Sequence, residues 1–377
     1  MLTYSMLIFP MTFILVCYSI RKIIYVAHSK HLFDEPSELR KIHIEKTPNL
    51  GGVAIFFSMV IVSCFILPHT SIGNQSYILA SGIIIFFLGL TDDLVGMDPN
   101  KKILGQLVAA LVIVLPGGYR FTGFHGFFGL GQVHYWVSII LSVLFILFIT
   151  NAFNLIDGID QLAGGIGLLT CLVFAYFFHG MHEAGLFYLA VALSGCLAGF
   201  LVFNRSPARI FMGDTGSLFL GFIIAVFSIN FIELNDPAAG VFKLAAAPFR
   251  NSPAILFGLM IIPIYDTLRV FILRIAGGKS PFAADRNHLH HNLIDLGLSH
   301  LQATGILLLV SVIALTFVLV FPAAGSELLV LCVTAYAIGL NWILGRVYRQ
   351  KRDRQHRESQ KQRRLRRRTH TVPRLQV

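Results

Sequence analysis

The sequence predicts an all-α integral membrane protein, a polytopic bundle of about 11 transmembrane helices with its functional loops gathered on the cytoplasmic side. Three observations predict it. Of 377 residues, 55% are hydrophobic and 13% charged, roughly half the charged share of a soluble domain. Mean hydropathy is +0.73, and apolar runs near the roughly 20 residues of a spanning helix recur along almost the whole chain. Finally, 27 of the 30 Lys and Arg residues fall on alternate connections or the C-terminal tail, which sorts the loops into two sides.

The first run, 6–26, has no basic segment before it and no small-residue cleavage site after it, so it reads as a retained span. Further spans are expected at 49–68, 77–91, 103–116, 135–153, 164–179, 185–203, 215–233, 251–273, 300–321 and 326–345. The fourth and sixth are short for a crossing. One side then receives 21–48, 92–102, 154–163, 204–214, 274–299 and the tail. The other receives 69–76, 116–134, 180–184, 234–250 and 322–325, which hold only Arg120, Lys243 and Arg250. The positive-inside rule puts the first set in the cytoplasm and the N-terminus outside. The Gly- and aromatic-rich stretch 116–134 reads as a turn or small hairpin on the outer surface. No internal repeat is visible, so the inverted-repeat signature of many transporters is missing.

Two units follow: a membrane domain over 1–345 and a basic cytoplasmic tail over 346–377, expected to be disordered. The tail holds 13 Lys/Arg against Asp353 and Glu358, so it carries the whole net charge of +11. Beside a membrane helix this charge suits anionic lipid better than nucleic acid. Cys17, Cys64, Cys171, Cys196 and Cys332 all lie in apolar runs with no CxxC pair, which argues against a disulfide framework or zinc knuckle.

The polar clusters lie on the cytoplasmic connections. "GLTDDLVGMD" puts Asp92 and Asp93 at the end of the third span. Two adjacent carboxylates favour a raised pKa, a cation or a basic partner, although an ordinary helix end in water would also tolerate them. "NAFNLIDGIDQLAGG" carries Asn151, Asn154, Asp157 and Asp160 at a stride of three, so the first three share one broad helical face. Gly158 and the Gly164–Gly165 pair let the helix end and the backbone approach a ligand. In "FMGDTGSLFLG", Asp214–Thr215 could simply cap a helix. Gly213 and Gly216 add the look of a phosphate seat at a helix start, with Asp214 placed to hold an accompanying metal. "SPFAADRNHLHHNL" supplies Arg286, His288, His290 and His291. A helix would put His288 and His291 on one face and leave His290 elsewhere. Zinc ranks below phosphate here, because no acid or cysteine sits at ligand spacing nearby. Acids mixed with cations and glycines suit a magnesium-bridged diphosphate.

In this order, these motifs resemble the polyprenyl-phosphate N-acetylhexosamine-1-phosphate transferases, enzymes of the glycosyltransferase family 4 type. The resemblance runs from about residue 34 to 300 and includes "RKIHIEKTPNLGG" (Arg40–Gly52). It implies transfer of a sugar 1-phosphate from a UDP-amino sugar to a lipid phosphate, with release of UMP. It maps Mg²⁺, with Mn²⁺ as a substitute, onto Asn154 and Asp214, and uracil stacking onto Phe211. It maps diphosphate contacts onto His288, His291 and Arg274, with Arg286, Asn151 and Lys46 as further substrate-binding residues. Asp92 and Asp93 match the pair that orients or deprotonates the lipid phosphate, and Asp157 and Asp160 match acids required near nucleotide and metal. "SPFAADRNHLHH" is similar to the branch that primes cell-surface glycans, lipopolysaccharide among them, from UDP-N-acetylglucosamine and undecaprenyl phosphate. Gln161 stands where many relatives have Gly.

The expected mechanism is direct displacement at the β-phosphorus. Because a phosphate monoester has its second pKa near 6, electrostatic positioning is expected to matter more than strong base catalysis. A covalent aspartyl-phosphate is the rival mechanism. Rival substrates are another UDP-N-acetylhexosamine or UDP-muramoyl-pentapeptide. The rival from another class, an ion-coupled transporter, predicts ionisable groups at mid-membrane depth. Expected partners are a UDP-sugar, polyprenyl phosphate and the bilayer of a bacterial inner membrane. A homodimer is a candidate assembly, and nucleic acid is not expected.

Overall fold

The structure, a computed structural model, describes residues 2–30, 47–66, 75–235, 243–244, 247–248, 251–278, 280 and 287–369. Lys46 and Arg286 lie outside the described residues. The chain folds as α1 (Leu2–Lys30), α2 (Gly51–Ile66), α3 (Gln75–Val95), α4 (Pro99–Val114), α5 (Tyr135–Ile156), α6 (Leu162–Gly180) and α7 (Ala184–Phe203), followed by α8 (Gly213–Leu234). After a two-residue antiparallel pair, β1 (Lys243–Leu244) with β2 (Ala247–Pro248), come α9 (Ser252–Leu259), α10 (Ile261–Ala276), α11 (Leu289–Asp295), α12 (His300–Val320) and α13 (Ser326–Thr369).

Each of the 11 apolar runs is helical. Among the described residues, eight helices are long and apolar enough to cross a membrane, or nine with α9 and α10 taken as one broken span. The remaining two runs form α2 and α4, of 16 residues each. The run 251–273, expected to be one straight span, bends by 76° between α9 and α10. The sequence contains the cause. Pro263 has no N–H to donate back one turn, and its ring clashes with the carbonyl four residues earlier, that of Leu259, where α9 stops.

Polar signals set other boundaries. Asp98 caps α4, accepting from the Asn100 N–H at 2.8 Å with Pro99 in the first turn. Ser299 and Gln302 form a reciprocal capping box at the start of α12. α8 is apolar on every side and is buried between α3, α5, α2 and α6, as a helix without a polar face must be.

The hairpin pairs Gly123 with Gln132, and it is tied to the far ends of α8 and α13 through Thr122–Glu233 and Phe128–Glu327. The acidic and histidine motifs meet at the other end of the bundle. The tail departs from expectation. Instead of losing structure after 345, α13 continues to Thr369. Residues 346–369 are rich in Arg and Gln, good helix formers, and contain no Gly or Pro.

Candidate active site

The site begins with a cap built from a distance. Gly213, at φ +71°, turns the chain into α8, and a Cβ there would lie 2.2 Å from the Asn49 carbonyl oxygen. The close approach lets Asp93 of α3 reach the helix start. Its carboxylate accepts from the backbone N–H of Asp214 (2.7 Å) and of Thr215 (2.8 Å), and from the Thr215 hydroxyl (2.5 Å). This corrects the expectation of an open phosphate seat, because the protein's own carboxylate takes those amides. Gly164 and Gly165 lie in the first turn of α6.

Asp214 is left with its side chain in the site. Oδ1 accepts from Asn154 Nδ2 at 2.7 Å, and Oδ2 pairs with Lys102 Nζ. Asn154 Nδ2 also reaches Ser217 Oγ at 2.9 Å. Lys102 in turn meets Asp92 at 2.8 Å. Thus α3, α4, α5 and α8 converge on one charged knot, and adjacent Asp92 and Asp93 play different parts in it.

Two cavities open from this knot and share Asn154, Asp157 and Gly158 as their wall. The first, about 310 Å³, is acidic. Asp93, Asp157, Asp160 and Asp214 line it together with Phe211, whose ring is partly exposed. Phe211 is held by backbone pairing with 48–51: its N–H donates to the Pro48 carbonyl, and its carbonyl accepts from Gly51, both at 2.9 Å. The second, about 380 Å³, is lined by Lys102, Arg274 and all three histidines, with Asp92 and Asn151. His290 therefore joins His288 and His291 instead of pointing elsewhere, because His288 lies just ahead of α11 as its cap residue. Asn151 is locked in an amide pair with Gln106, donating to it at 2.6 Å.

The electrostatics differ between the cavities. The Asp157 carboxyl makes no hydrogen bond or ion pair among the described residues, although its backbone N–H donates to the Asn154 carbonyl at 3.3 Å. Burial, and then the nearby Asp214, Asp93 and Asp160, hold its carboxyl well above the usual carboxylate range. Asp160 instead meets His300 at 3.2 Å, and the Asp160 carbonyl accepts from Thr304. Burial pushes His290 down to about 3, so its ring is neutral. Its Nε2 has no partner among the described residues, and a Cβ on Gly158 would lie 2.3 Å from it.

Among the described residues, no three His, Cys, Asp or Glu side chains form a closed metal cage. Mg²⁺ does not need one, because it commonly takes one or two protein ligands plus phosphate oxygens. The Asp214 carboxylate, the amide oxygen of Asn154 and the nearby unpaired carboxyl of Asp157 form a hard-oxygen donor set that fits such an ion.

Several residues of the site were not singled out from sequence. Lys102 is one of an adjacent lysine pair, with Lys101, at a helix entrance. Asn204 braces two loops, accepting from the Gln161 N–H (2.6 Å) and donating to the Ile210 carbonyl (2.9 Å). Gln161 itself sits at φ +68°, a left-handed conformation that glycine adopts freely. His300 lies well beyond the histidine motif. Asp266 was the most legible of them, since a charge inside an apolar span is itself a signal.

Comparison with known proteins points the same way. The family model described as glycosyl transferase family 4 matches residues 76–232. The chain is 35% identical over 291 residues to a decaprenyl-phosphate N-acetylglucosaminephosphotransferase of Mycolicibacterium smegmatis, covering 70% of this chain and 69% of that protein. It is 34% identical over 286 residues to a probable undecaprenyl-phosphate N-acetylglucosaminyl 1-phosphate transferase of Bacillus subtilis, covering 74% of each. With a phospho-N-acetylmuramoyl-pentapeptide-transferase of Carboxydothermus hydrogenoformans it shares 31% over 214 residues, 50% of this chain and 64% of that protein.

Proposed function

The chain belongs to glycosyl transferase family 4 and transfers a sugar phosphate to a polyprenyl phosphate, and we propose that its donor is UDP-N-acetylglucosamine and its acceptor undecaprenyl phosphate. The products are undecaprenyl-diphospho-N-acetylglucosamine and UMP, in an initiating step of cell-surface glycan synthesis at the bacterial inner membrane. The observation that carries this reading is the pair of cavities, one acidic and one cationic, joined at Asn154, Asp157 and Gly158. Two phosphorylated substrates must meet with their charge balanced, and an acidic wall facing a cationic one supplies that balance. The choice of N-acetylglucosamine over muramoyl-pentapeptide is supported by the longer coverage of the former's enzymes.

Asn154 and Asp214 would hold Mg²⁺, with Asp157 and Asp160 completing the negative surroundings. When bound, the ion neutralises charge on the diphosphate oxygens. Phe211 offers its face to uracil at the rim of the acidic cavity. Arg274, His288 and His291 contact phosphate in the cationic cavity, where Lys102 and Asp92 also lie. A lipid-phosphate oxygen attacks the β-phosphorus; the new P–O bond forms as the bond to the α-phosphate oxygen breaks, and UMP leaves with that electron pair. Asp92 orients the attacking phosphate or takes its last proton. Asp93 positions Asp214 through the helix cap. Little proton transfer is needed near neutral pH, since the phosphate's second pKa is near 6, and fixed charges do most of the work.

The test is UMP release by purified protein given UDP-N-acetylglucosamine, undecaprenyl phosphate and Mg²⁺. Asp214→Asn is expected to lower kcat by about 100-fold or more, the scale of losing a fixed electrostatic group. Removal of the divalent ion with EDTA should abolish release. No release from any UDP-sugar, or an unaffected Asp214→Asn, would overturn the reading.

A further inference from the structure

We propose that Asp266 is the positioning residue for His288, fixing the proton on its Nδ1 and supplying the countercharge that lets Nε2–H donate to a substrate phosphate. This rests on the reading of the cationic cavity as a phosphate site. Asp266 lies on α10 just beyond the bend and is 1% exposed. A buried carboxylate is costly unless fully paired, and this one has three partners. His288 Nδ1 lies 3.0 Å from Oδ2, the Leu289 N–H donates to both oxygens at 3.1 and 3.2 Å, and Arg269 pairs with Oδ1 at 3.0 Å. Arg269 also donates to the Asn287 carbonyl. The carboxylate and its arginine thus grip residues 287–289, the entry to the histidine segment.

A plain helix cap would explain only part of this. The Leu289 bond is such a cap, with Asp266 serving α11 from another helix. It does not account for the imidazole. With Nδ1 committed to the carboxylate, Nε2 is the one ring nitrogen that His288 has left for the cavity it lines. The neighbouring rings provide a contrast. His290 is buried, has no partner at Nε2 among the described residues and is held neutral, with its pKa lowered to about 3. His288 stacks on it at 5.5 Å but has a carboxylate as well. A second group that orients an imidazole and stabilises its cation is a recurring device where histidine meets developing negative charge. The 76° bend gains a purpose here: it turns α10 so that one helix brings Arg274 to the cavity and Asp266 against His288, which lines it.

The test compares Asp266→Asn, His288→Gln and the double variant for UMP release, with thermal unfolding in detergent as a folding check. Asn caps helices about as well as Asp, so a residue that only caps α11 predicts near wild-type kinetics for Asp266→Asn. A positioning role predicts kcat lowered about 100-fold with KM changed by less than about threefold. It also predicts that Asp266→Asn adds almost nothing once His288 is already Gln. Wild-type kcat in Asp266→Asn, or losses that multiply in the double variant, would overturn the proposal. Should Asp266→Asn fail to fold, Asp266→Glu replaces it in the same cycle. It keeps the charge and shifts its reach, so it should lower kcat in the wild-type background and have no effect in His288→Gln. An inactive wild-type protein would be a failure of the transferase reading instead, and is read separately.

Discussion

Gly158 shows how little room single positions in this site allow. Its absent side chain is what lets the loop lie against His290, 2.3 Å from where a Cβ would fall. Gly158→Ala is expected to displace that ring and cost about 1–3 kcal/mol of stability, the scale of overpacking, with most activity lost. Thermal unfolding and UMP release measure the two effects. Asp157 sets a second expectation. Its folded-state pKa is raised, so its protonated form is the one the fold favours. The stability it contributes is therefore present below the ordinary carboxylate pKa of about 3.9 and is lost as pH rises through the raised value. In EDTA, melting temperature should fall as pH is raised above the ordinary carboxylate pKa, and Asp157→Asn should flatten that fall. Mg²⁺ should restore stability to wild type more than to the variant. A pH-independent melting curve for wild type in EDTA would contradict the assignment. The stride of Asn154, Asp157 and Asp160 could be read as a cluster from sequence. Their unequal fates could not: Asp160 acquires His300, whereas Asp157 is left unpaired.

At the scale of elements, the start of α8 depends on a residue about 120 positions away. Asp93→Ala would strand two backbone amides and one hydroxyl at that helix start. A cost of about 2 kcal/mol is expected from the lost charged acceptor, together with lost activity as Asp214 loses its anchor. Asp93→Asn should recover part of the stability, because an amide oxygen can still accept. A drop in melting temperature with Ala larger than with Asn would support the cap, and equal drops would refute it. The bent α9–α10 pair teaches a similar lesson. Pro263 was visible in the sequence as a helix breaker, yet the hydrophobic run around it read as one span. Hydropathy reports how greasy a segment is; the missing N–H and the ring's clash decide whether it stays straight.

For the molecule as a whole, the two-sided sorting of loops is the strongest organising feature. The structure brings the motif loops together at one end and the 116–134 hairpin to the other. Single-cysteine labelling of intact cells should reach a probe in 322–325 from outside, while one at Ser299 should stay protected until the membrane is permeabilised. The reverse pattern would invert the orientation. Every described residue that lines the two cavities precedes 301. Truncation after 351 should leave UMP release within about twofold of wild type, since surface groups away from the site have small effects. By itself, the sequence determined the all-helical membrane class, the helical positions of all 11 runs and the identity of the motif residues. These follow from composition and local periodicity, which act over a few turns of one segment. Only the tertiary structure decided that Asp93 caps α8, that Lys102 bridges Asp92 to Asp214, and that Asp266 grips His288. Each of those pairings joins residues far apart in the chain, and a carboxylate's partner is set by which helices pack together.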